Sequence, residues 1–118
     1  MAMTLEALVK QFADNVAAQT DAIFQPGADP DDHYGDLYIQ AFKELRAKGD
    51  AGREALVSLF THPRADVRVA AASFLLRYRT AEAKAVLDEV VQRKGFFAFE
   101  AGQALKRWEE GTWALDPE

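Results

Sequence analysis

The chain has 118 residues, 49% of them hydrophobic and 28% charged, which suffices for one compact domain and is too apolar for a disordered tail. It contains no cysteine, which excludes disulfides, thiolate metal sites and cysteine nucleophiles. Its formal charge of −5 is confined to the first part: residues 1–50 hold nine Asp/Glu against four Lys/Arg (4 − 9 = −5), and residues 51–118 hold ten of each. Such a field disfavours nucleic-acid backbones and attracts a basic protein.

In chain order, Leu5, Leu8, Val9, Phe12 and Val16 recur at helical spacing, with Thr4 as N-cap, and the pattern fades near Gln19. Glu6 and Lys10 interrupt the apolar run that an export signal needs, and no run approaches the ~20 apolar residues of a membrane span. A cytoplasmic protein with no membrane association is therefore expected.

The segment "TDAIFQPGADPDDHYGD" follows, non-periodic and rich in proline, glycine and aspartate, and reads as a long loop. Asp29, Asp31, Asp32, His33 and Asp36 do not match a calcium loop: Gly35 stands one place too late and the bidentate glutamate is missing. No metal is expected there.

The second helix carries Tyr34, Leu37, Tyr38, Ala41 and Leu45 and ends at Gly49. A third, from about Ala51 to Phe60 with Asp50 as cap, turns Leu56, Leu59 and Phe60 inward and breaks at His62, which precedes Pro63. The fourth has Val67, Ala70, Ala71, Phe74, Leu75 and Tyr78 on one stripe, with Asp66 in its first turn and Arg77 and Arg79 at its end, as the helix dipole favours. The fifth starts after Thr80 with Ala83, Val86, Leu87, Val90 and Val91, and closes at Gly95. The sixth has Phe97, Ala101, Ala104, Leu105 and Trp108, and closes at Gly111. Strand-like alternation between hairpin turns is missing throughout, so the expected class is all-α with six helices.

Helices four and six align at an offset of about thirty residues, pairing Val67 with Phe97, Ala71 with Ala101, Leu75 with Leu105 and Tyr78 with Trp108. Ala72 pairs with Gly102, a mid-helix glycine that predicts a close backbone approach. "EALVSLFTHPRADVRVAAASFLL" resembles a HEAT-type repeat, with its proline turn, Asp-Val-Arg and alanine-rich second helix; residues 80–110 resemble a second unit without the Asp-Val-Arg. The segments "LVKQFADNVAAQ" and "FKELRAKG", the repeat itself and the ending "WEEGTWALDPE" together resemble a family of small bacterial HEAT-like proteins known as a domain of unknown function. The resemblance implies a single domain over 1–118, built as a short right-handed stack of about three helical hairpins. Members of that family resemble immunity proteins found beside secreted toxins, which implies a protein partner.

The carboxylate pairs Asp88–Glu89 and Glu109–Glu110 are adjacent on helices and so diverge, and no serine elbow or phosphate-cradling glycine loop occurs. Neither catalysis nor a cofactor is expected. Apolar residues off the core stripes are more informative: Val69 and Leu76 on helix four, Phe99 on helix six, and Ile39 and Phe42 flanking the stripe of helix two. Left exposed, they would form the kind of patch that marks a partner surface. The expected function is a non-enzymatic protein-binding module, in its most concrete form a cytoplasmic immunity-type protein that masks a basic toxin. Asp29, Asp31, Asp32 and Asp36 would steer the partner, and Ile39, Phe42, Val69, Leu76 and Phe99 would anchor it. The alternative is nucleic-acid binding through Arg64, Arg68, Arg77 and Arg79.

Overall fold

Six α-helices account for most of the structure, a computed structural model that describes residues 4–23, 33–95 and 97–111. Among the described residues there are α1 (Leu5–Ile23), α2 (His33–Ala47), α3 (Asp50–Val57), a 3-10 turn (Ser58–Thr61), α4 (Ala65–Phe74), α5 (Thr80–Gln92) and α6 (Ala98–Glu110), and no strand. None of these helices is long and apolar enough to cross a membrane. The chain divides into two compact units, Met1–Leu59 and Phe60–Glu118.

In the first unit the apolar spacing of α1 buries Leu8, Phe12 and Val16, and the Thr4 hydroxyl accepts the Ala7 N–H at 3.1 Å, the expected cap. Lys10 and Asp14 pair on the opposite, exposed face. The helix runs on to Ile23, beyond Gln19, so it takes up the start of the segment read as a loop. α1 packs on α2, where Ala41, Phe42 and Leu45 are buried and the Tyr38 ring meets Phe12 edge-on at 5.6 Å.

After α2, the N–H groups of Lys48 and Gly49 close onto the carbonyls of Leu45 and Arg46, and Gly49 takes φ +73°, where a side chain would be strained. α3 begins at once, so Gly49 rather than Asp50 is its N-cap. This tight corner presses α3 onto the end of α2. A Cβ on Gly52 would lie 1.8 Å from the Leu45 carbonyl oxygen. A close backbone approach therefore stands at Gly52.

In the second unit α4 packs on α5, and both pack on α6. Val69, Ala72 and Leu76 from the α4 side, Ala83, Leu87 and Val90 from α5, and Ala101 and Ala104 from α6 form one core, closed at its edge by half-buried residues such as Leu105 and Trp108. The small residues of α4 and α6 let the helix axes approach, and the branched ones fill the remaining grooves. Val67, Ala71, Phe74 and Leu75 are buried too. It ends at Phe74, with the Leu75 N–H shared between the Ala71 and Ala72 carbonyls. Arg77 and Arg79 therefore stand in the turn beyond its end.

α6 ends as expected, at Gly111 with φ +76°. Gly102 departs from expectation, because a Cβ there would meet only the Val91 Cγ2, at 3.9 Å, an ordinary contact. Gly102→Ala is therefore expected to stabilise the chain by about 0.5–1 kcal/mol through helix propensity alone, read as a rise in the urea midpoint. A fall in that midpoint would place a neighbour closer to Gly102 than the structure does.

Candidate functional site

The partner residues expected from the sequence separate into three groups. Asp29, Asp31 and Asp32 lie outside the described residues. Asp36, in the first turn of α2, and Ile39, 38% exposed and one turn on, stand on the outer side of that helix. Phe99 is 75% exposed in the first turn of α6, on the side opposite Ala101 and Ala104.

Three of the expected anchors are corrected by their burial. Phe42, Val69 and Leu76 are 2%, 6% and 0% exposed and offer nothing to a partner. The reason is the same in both units. α2 packs on α1 and α3, and α4 packs on α5 and α6, so each buries an arc wider than the single stripe that periodicity reveals. Tyr34, at the start of α2, lies on the predicted core stripe but is 39% exposed.

The arginines expected as an alternative site have local roles. Arg64 grips Asp66 with two parallel bonds, Nε to Oδ1 at 3.1 Å and Nη2 to Oδ2 at 3.0 Å. The same Oδ1 accepts the Val67 N–H at 2.8 Å, so the buried carboxylate also satisfies a donor of the first turn of α4. Arg68 Nη1 donates to the carbonyls of His62, at 2.7 Å, and Pro63, at 3.1 Å, and so ties the proline turn to α4. Arg79 stacks on the Tyr78 ring at 5.3 Å and reaches Glu82 at 3.5 Å. Asp66 was legible in the sequence as a first-turn residue; its bidentate pairing with Arg64 was not.

A feature that sequence reasoning missed lies in the second unit. Phe60, Thr61, His62, Pro63, Arg68, Glu89 and Arg93 line a cleft of about 310 Å³. In it His62 Nδ1 accepts the Arg64 backbone N–H at 3.1 Å, and Arg93 pairs with Glu89 at 3.0 Å. The aromatic, the imidazole and the two arginines come from a turn and two helices, so no local spacing announces them. Among the described residues, no cluster of three or more His, Cys, Asp or Glu has the arrangement of a metal site.

Residues 6–109 match the family described as "Domain of unknown function (DUF2019)". No curated protein matches the chain. Among solved structures, it is similar to the crystal structure of the protein RPA1889 from Rhodopseudomonas palustris CGA009. The two are 31% identical, with a TM-score of 0.87 over 95% of this chain and 93% of that one.

Proposed function

The chain belongs to the DUF2019 family, a domain of unknown function, and on that premise we propose that it is a non-enzymatic protein-binding module. The observation that carries this reading is Phe99. It is an aromatic side chain 75% exposed on the outer side of α6, although ample core positions are filled by smaller residues. Aromatic side chains, phenylalanine among them, are enriched in the residues that anchor protein–protein interfaces. The charge of −5, concentrated in residues 1–50, favours a basic partner and a fast, salt-sensitive encounter.

In its concrete form the module is a HEAT-like cytoplasmic protein of the immunity type, masking a toxin by occlusion. That form rests on the resemblance carried by "EALVSLFTHPRADVRVAAASFLL" and on the charge. The nucleic-acid reading has less support, because Arg64 is already committed to Asp66 and the formal charge of −5 opposes an extended phosphate backbone.

The test is capture of bound protein from the native extract on the tagged chain and on Phe99→Asp, eluted over a salt gradient. The expected result is one basic protein, retained at near one-to-one ratio by the wild-type chain and lost from Phe99→Asp. Equal retention by both chains would remove Phe99 from the interface, and recovered nucleic acid would replace the reading with the arginine one.

A further inference from the structure

We propose that the cleft beside the His62–Pro63 turn binds a phosphate monoester carried on a small organic molecule, a site separate from the protein-binding surface proposed for Phe99. Its donors are already oriented. The two carbonyls that hold Arg68 Nη1 fix the guanidinium plane at that corner. Of the five guanidinium N–H donors, those on Nε and Nη2 have no partner among the described residues. His62 Nδ1 is an acceptor toward the Arg64 N–H, so the ring proton sits on Nε2, a second donor with no partner among the described residues.

The charge balance points the same way. Arg68 and Arg93 bring two positive charges, and Glu89 holds Arg93 by a single exposed ion pair, 57% and 69% exposed. Such pairs are weak, so an entering oxyanion can take the place of Glu89 on Arg93. The carboxylate released to water leaves two guanidiniums facing one dianion, the pairing for which arginine is best suited. Phe60 and Pro63 add an apolar wall for an organic body, and 310 Å³ lies at the small end of ligand sites.

The experiment titrates phenyl phosphate into the full ¹⁵N-labelled chain and follows the backbone amides of residues 60–68. Saturable shifts centred on Thr61, His62 and Arg68 are expected, with inorganic phosphate and benzoate binding at the same amides more weakly. Arg93→Gln should weaken phenyl phosphate by on the order of tenfold, the loss of one charge-assisted contact, and Glu89→Gln should tighten it severalfold. Both side chains are more than half exposed, so neither change threatens the fold. The proposal is overturned by shifts that fail to appear by ~10 mM, a concentration that corresponds to negligible affinity. It is equally overturned by a Kd that neither substitution moves, or by benzoate or an oligonucleotide binding these amides as tightly as phenyl phosphate.

Discussion

Gly52→Ala is expected to destabilise the chain by about 3 kcal/mol, although alanine is the better helix former by ~1 kcal/mol. The new methyl would stand 1.8 Å from the Leu45 carbonyl oxygen, and the obstacle is backbone, not a side chain that can swing aside. α3 must then move off the end of α2 by more than an ångström. Leu45 and Leu56, both fully buried, sit on the two helices that this movement separates. Overpacking of this kind costs ~1–3 kcal/mol where neighbours yield, and a rigid carbonyl places Gly52 at the upper end. Urea unfolding followed by far-UV circular dichroism measures it. A midpoint equal to or above that of the wild type would mean that α2 and α3 do not meet as described.

Leu76→Ala is the second large effect, expected to cost about 2–5 kcal/mol. Leu76 is fully buried where α4, α5 and α6 converge, among Val69, Ala72, Leu87 and Ala104. Its backbone is held as well: its carbonyl accepts the hydroxyl of Thr80, the first residue of α5, at 2.6 Å. Truncation therefore leaves a cavity in a rigid setting instead of one that collapses. The same unfolding experiment separates two readings of this residue. As an exposed partner anchor, Leu76 would tolerate alanine to within ~0.5 kcal/mol; as core, it cannot.

These two residues also mark where sequence reasoning stops. Thr4, Gly49 and Gly111 were legible because capping depends on the residue and its immediate neighbours, and the structure places each at a helix end. The six helices were legible for the same reason, since each carries an apolar stripe of its own. Leu76 and Val69 were misread because periodicity gives the direction of one stripe and not the number of helices that surround it. Gly102 was misread and Gly52 was missed, because a glycine's partner lies elsewhere in the chain and leaves no mark beside it.

The candidate surface follows the same division. Phe99 was found because it lies opposite a single, clear stripe, and Phe42 was misplaced because α2 has two neighbours. The cleft drew on His62, Arg68 and Arg93, whose meeting depends on the α4–α5 packing.

Phe99 is expected to serve a partner and not the fold. The most direct measurement determines, for Phe99→Ala, both the unfolding free energy and the Kd for the protein recovered by capture. The expected result is stability within about 0.5 kcal/mol of the wild type and affinity reduced by roughly thirtyfold or more, the signature of an interface hot spot. A stability loss of several kcal/mol with unchanged affinity would contradict it, and would return Phe99 to the core.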